Sequence, residues 1–260
     1  MYSFLIKPRW IALTLVCLAL LPAFKSLSDW QWRRLHQRQA YNLVIEKNIH
    51  TTITDVNSVM QSPTTFDPAH EWVTLQLTGH WDASRQFLVR KKSFESDLGF
   101  WVVTPFVSGS HTIMVNRGWV MAGNSALDSP AVQLPPAMQV TLQGRLRMLP
   151  VNDSPEPKDL PVGQVDRISP SQISPDTGVI TNGYLEQIQS NPDSVLELKT
   201  MPAPEITEGP HRSYALQWIF FAIMTIAGWI ILVRNEANRV QVVEHSSAGQ
   251  TDDDAGQRTN

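Results

Sequence analysis

Residues 214–233 read YALQWIFFAIMTIAGWIILV, a stretch without a formal charge that ends at Arg234. At about 1.5 Å per helical residue it covers about 30 Å, the thickness of a bilayer's hydrocarbon core. Its apolar character runs all round a helix, whereas the core helix of a soluble domain carries one apolar stripe. A transmembrane helix over 214–233 therefore anchors the reading of the chain. Its counterpart near the other end is 10–27, WIALTLVCLALLPAFKSL, preceded by Lys7 and Arg9. That segment is slightly short for a span, and Lys25 can extend its charged end toward the interface. A secretory signal peptide shares the basic start and apolar middle. A clear Ala-x-Ala-like cleavage site is not obvious near Pro22 to Ser28, which favours a retained anchor.

Two spans place both termini on one side and residues 28–213 on the other. Charge leaves the side open. Lys7, Arg9, Arg234 and Arg239 flank one end of the spans, while Arg33, Arg34 and Arg38 flank the other, and long loops cross largely regardless of charge. Ser28 to Asn48 holds neither proline nor glycine, so the first helix is expected to continue, with Trp30 and Trp32 at the interface. From Glu71 the period changes to two: in WVTLQLTG, Val73, Leu75 and Leu77 alternate with Thr74, Gln76 and Thr78. Further strands are expected at Gln86 to Arg90, Phe100 to Val107, Thr112 to Val120 and Gln139 to Arg147. Turn residues separate them at Gly79, 96–99, 108–110 and 123–130. The expected fold is a membrane protein of α+β class, in which two transmembrane helices flank a β-rich extramembrane domain. Its core, a small sheet or partial barrel, lies at about 71–149. The proline-rich stretch 150–176 reads as an extended surface loop, 195–199 as a further strand, and 235–260 as a disordered tail.

Composition excludes several functions. Of 260 residues 42% are apolar and 17% charged, and the net charge of −3 lacks the basic surplus that a nucleic-acid surface requires. Cys17 is the single cysteine, so neither an intrachain disulfide nor a cysteine metal cage can form. The chain has no Gly-x-Ser-x-Gly elbow, no phosphate-cradling Gly-x-x-x-x-Gly-Lys and no dinucleotide Gly-x-Gly-x-x-Gly. No two of its histidines, at positions 36, 50, 70, 80, 111, 211 and 245, stand three or four residues apart, so a His-x-x-x-His zinc helix is absent. The chain does not read as an enzyme.

Three stretches together resemble the surfeit-locus cytochrome c oxidase assembly family. The first is Leu27-Ser28-Asp29-Trp30-Gln31 with Arg34 and Arg38; the family usually has glycine at Ser28 and lysine at Arg38. The second is Val102-Val103-Thr104-Pro105 with Val115-Asn116-Arg117-Gly118-Trp119-Val120. The third is Glu208-Gly209-Pro210-His211 with Tyr214-Ala215-Leu216-Gln217-Trp218. The resemblance covers about residues 10–234. It implies a helper in building haem-copper oxidases that binds haem a and passes it to the oxidase core subunit, with haem a synthase as a further partner. It also implies an extracytoplasmic loop and cytoplasmic termini. Mitochondrial relatives carry a transit peptide, and only nine residues precede Trp10 here, so a bacterial plasma membrane is expected.

The third stretch has chemistry of its own. Proline suits the first turn of a helix, which places His211 at the helix start, where the dipole favours the neutral ring that haem iron requires of an axial ligand. Arg212 and the helix end offer donors to haem propionates. Tyr214 and Trp218 are expected on the face of His211, able to stack on a porphyrin. The same residues also compose an ordinary interfacial belt. Resemblance places the family's histidine at His211, while Arg212 departs from the apolar residue common there. Gln217, the strongly polar residue inside the second span, either bonds the first span or faces the cofactor. Trp30 and Gln31 read as interface anchors, and Arg117 as the partner of a buried acid.

Two other functions fit the same features: a scaffold that holds the oxidase subunit without haem, and an enzyme of haem or membrane-lipid metabolism built from residues distant in sequence. A soluble secreted β-domain is the furthest alternative. On alkaline carbonate extraction the chain is expected to stay wholly in the membrane pellet; release into the supernatant would leave only the soluble alternative.

Overall fold

A computed structural model describes residues 2–123, 129–150, 157, 159–172, 178–193 and 197–256, with side chains of the last helix up to Gln241. The chain divides into two compact units, Met1–Ala40 with Thr207–Asn260, and Tyr41–Ile206.

The first unit is a pair of helices, α1 (Pro8–Asn48) and α2 (His211–Gly256). Trp10, Thr14, Cys17, Leu21, Phe24, Ser28 and Gln31 form a stripe of buried or half-buried positions along α1. They recur at alternating intervals of four and three, the spacing by which helices interlock in a shallow left-handed crossing. On α2 the matching stripe is Ala215, Trp218, Ala222, Thr225 and Trp229. Polar bonds stitch the two stripes together. Trp229 Nε1 donates to Thr14 Oγ1 at 3.1 Å, and Arg9 pairs with Glu236 at 2.7 Å. The most apolar stretch of each helix is only 6% buried within the protein. A soluble core helix hides such a surface, so both helices are membrane spans and the chain is anchored by two of them. Pro22 lies inside α1, a position that membrane helices tolerate. Beyond residue 234, where a disordered tail is expected, α2 instead continues as far as Gly256 through a stretch that no proline interrupts. Residues 257–260 lie outside the described residues.

The second unit contains strands β1 (Thr52–Ile53), β2 (Met60–Ser62), β3 (Thr65–Phe66), β4 (Thr74–Trp81), β5 (Phe87–Phe94), β6 (Asp97–Ser108), β7 (His111–Met121), β8 (Val140–Met148), β9 (Gln164–Val165) and β10 (Val179–Asn191). Eight of them form one sheet in the order β1-β4-β8-β10-β7-β6-β5-β9. A second pairing of β4 with β6, His80 to Val107 and Trp81 to Phe106, closes β4-β8-β10-β7-β6 into a partial five-stranded barrel. The alternation of β4 is realised: Leu75 and Leu77 point into the core with Phe106, Ile113, Val115, Leu142, Leu146 and Leu185, while Thr78 faces out. On β7 both faces are covered, since Met114 joins a second cluster with Phe87, Val103 and Tyr184.

Two expectations change, and a third falls partly outside the described residues. The β-rich core runs past 149, because β10 lies between β7, to which it is parallel, and β8, to which it is antiparallel. Its polar composition hid it. Glu186, only 3% exposed, accepts from Arg147 Nη1 at 2.8 Å, and Arg145 Nε lies 4.0 Å from its other oxygen. The stretch 150–176, read as loop throughout, contributes the edge strand β9 beside β5. The strand expected over 195–199 falls partly on residues 194–196, outside the described residues; Lys199 does form a backbone bridge with Trp119, with N···O distances of 2.8 and 2.9 Å.

Closure depends on Gly79. A Cβ there would stand 2.0 Å from the Val107 carbonyl oxygen, on the strand that β4 must meet. Gly79→Ala is therefore expected to lower the thermal midpoint strongly, by about 1–3 kcal/mol of overpacking or more. Gly228→Ala, where nothing lies within 4 Å, should leave the midpoint equal or slightly higher. Equal midpoints for native protein and Gly79→Ala would contradict this account of closure.

Candidate cofactor site at the helix pair

The chain enters α2 through Thr207-Glu208-Gly209-Pro210. Gly209 adopts a φ of +66°, a left-handed conformation that other residues take at a cost, and its N–H donates to Thr207 Oγ1 at 3.2 Å. The Pro210 carbonyl accepts from Tyr214 N at 3.2 Å, so the first turn begins at His211. Two residues of α1 hold this entry in place. Arg38 Nε donates to the Thr207 carbonyl at 2.9 Å, and Gln39 Nε2 to Glu208 Oε1 at 2.7 Å.

His211 is half-buried, and its Nδ1 lies 2.9 Å from Gln31 Oε1 on α1. In a neutral ring, donation from Nδ1 to the amide oxygen leaves the lone pair on Nε2. That is how metal-binding histidines are oriented: one nitrogen is fixed by a protein acceptor and the other is free to ligate. The Nε2 edge faces the glycine. A Cβ at position 209 would stand 3.6 Å from His211 Cδ2 and 3.7 Å from Nε2, in van der Waals contact with that edge, so glycine leaves it the more open. One turn further, Ser28 Oγ donates to the Ala215 carbonyl at 3.1 Å, and both residues are buried. These small residues allow the helix backbones to approach closely.

The expected site is only partly assembled. Trp218 does lie on the face of His211, but its ring stacks on Phe24, with centroids 6.0 Å apart and planes at 21°, and meets Phe221 edge-on. Tyr214, one turn before Trp218 on the same side of the helix, is 47% exposed, and among the described residues it makes no ring contact with Trp218. Arg212 and Gln217 are exposed; Gln217 therefore turns away from α1. Among the described residues no cluster of three or more His, Cys, Asp or Glu could hold a metal ion. The donor set is thus a single imidazole with its orienting amide. Gln31, which its place beside Trp30 marks as an interface anchor, is the hydrogen-bond partner of His211. Its clue was the stripe Phe24, Ser28, Gln31, on which an amide replaces an apolar residue.

The SURF1 family model matches residues 18–223. Uncharacterized SURF1-like proteins of Mycobacterium bovis and Mycobacterium tuberculosis are 29% identical over 231 residues, covering 87% of this chain and 84% of theirs.

Because Ser28 sits at a close approach, Ser28→Gly should change stability in detergent by less than about 1 kcal/mol, the value of one interhelical hydrogen bond. Ser28→Leu should separate the helices and lower the midpoint markedly. Equal midpoints for the two variants would show that the helices are not held at this point.

Proposed function

The chain belongs to the SURF1 family, and on that premise we propose that it is an assembly factor for haem-copper cytochrome c oxidase that holds haem a as cargo and aids its insertion into the oxidase core subunit. The observation that carries the reading is the Gln31 amide fixing His211 Nδ1 at 2.9 Å. The residues present fit one axial nitrogen. His211 would ligate through Nε2, Gly209 leaves that edge open, and Arg212 and Tyr214 stand exposed at the same helix end. Once delivered, haem a supplies the redox centre of the oxidase. In this chain the residues bind, orient and release. Trp218 is better assigned to joining the helices through Phe24 than to stacking on a macrocycle. Gln217, exposed on the lipid side, is assigned to contact with a partner helix.

The wider setting follows from the same reading. Both termini are cytoplasmic, residues 28–213 are extracytoplasmic, and the membrane is a bacterial plasma membrane. The core oxidase subunit docks against the apolar outer faces of the spans, which the protein itself leaves uncovered, and haem a synthase is the donor.

The test is the visible spectrum and pyridine haemochrome of detergent-purified protein from cells making haem a. Native protein should carry haem a. His211→Ala should lose it with unchanged membrane insertion, and Gln31→Leu should retain it with a weakened, shifted spectrum. Equal haem content in native protein and His211→Ala would remove the ligand assignment. Absence of haem from both, with the oxidase subunit still captured, would leave a scaffold that never touches haem.

A further inference from the structure

The barrel unit holds a cavity of about 440 Å³ that the proposed function does not use, a volume typical of small-molecule sites. Its walls are of two kinds. Trp101, Tyr184 and Ile168 make an apolar side, while Lys92, Arg147 and Arg167 bring three cations against Glu71, the one lining carboxylate among the described residues.

Two of those cations are positioned with donors to spare. Arg147 donates from Nε to Glu71 Oε1 at 3.3 Å and from Nη1 to Glu186 Oε1 at 2.8 Å, and its guanidinium carbon lies 3.7 Å from the centre of the Trp72 ring. The fork is therefore fixed before any ligand arrives. Its Nη2 has no acceptor among the described residues and is not sealed from solvent. Lys92 lies with Nζ 4.2 Å over the Trp101 ring and likewise has no hydrogen-bond acceptor among the described residues. Burial lowers the pKa of its ammonium, and the carboxylate of Asp166 only partly offsets that. A half-buried ammonium stripped of water and lacking an acceptor is held at a cost that an incoming oxyanion would offset. Counting Glu186 behind Arg147 and Asp166 near Lys92, the surroundings are close to neutral, which suits one negative charge and disfavours a polyanion.

We propose that this cavity binds a small organic oxyanion, a carboxylate or phosphate monoanion on a compact aromatic body, with Lys92 Nζ and Arg147 Nη2 as donors and Trp101 and Tyr184 against the body. The site does not depend on His211.

Calorimetric titration of the full-length protein in detergent, with benzoate and with the diester methyl phenyl phosphate, each a monoanion at neutral pH, tests the proposal, and benzamide serves as the neutral match. At least one anion should bind and benzamide should not, and which anion binds identifies the headgroup. Lys92→Met should weaken binding about tenfold or more, the value of a hydrogen bond to a charged group. Lys91→Met, at the exposed neighbour, and His211→Ala should bind as the native protein does. A second measurement needs no variant: the bound anion should protect Lys92, and not Lys91, from amine acylation read by mass spectrometry. Failure of both anions to bind, benzamide binding as well as benzoate, unchanged affinity in a folded Lys92→Met, or absence of protection would each overturn the proposal.

Discussion

A bilayer core offers no hydrogen bonds, so a chain that crosses it as helices satisfies its backbone groups within each helix and gains by pairing polar side chains with a neighbour. That constraint organises the first unit. The stripes of α1 and α2 meet through apolar rings at Phe24 and Trp218 and through a few polar bonds: Thr14 with Trp229, Ser28 with the Ala215 carbonyl, and Gln31 with His211. The last has a consequence beyond packing. It orients an imidazole whose second nitrogen the protein leaves open beside a glycine.

The β-rich unit solves a different problem, that of sealing a small sheet with few residues. Closure of β4 on β6 at two residue pairs removes the edges that an open five-stranded sheet would expose. The barrel interior is apolar. On the other side of β8 and β10, Arg145, Arg147, Glu71 and Glu186 form a charged cluster that a hydrophobic core of the same size would not need. Breaking such a buried pair is costly although forming it adds little, so its presence suits a role in shaping the adjoining cavity.

Much of this architecture was legible in the residues. The spans announced themselves by length and absence of charge, and four of the barrel strands by alternation and turn residues. β10 escaped because Asn182-Gly183 reads as a turn and Glu186-Gln187 as surface, whereas both polar residues are buried. Its place depends on arginines forty residues away in sequence, which no local pattern reports. At the site, His211 was found through its helix start and its resemblance to the family. That Phe24 takes up Trp218 while Tyr214 stays exposed, and that Gln31 meets His211, required knowing which face of α1 meets α2.

These parts form one working arrangement for a SURF1 family member: two spans that hold a poised histidine, and a rigid barrel with a cavity of its own. The most direct measurement is cytochrome c oxidase activity and haem a content in membranes of the native host after deletion of the gene for this chain, with reintroduction of the native copy. The account predicts that assembled oxidase falls while other membrane enzymes are unaffected, and that the native copy restores it. Oxidase activity and haem a content unchanged by the deletion would contradict a role in oxidase assembly.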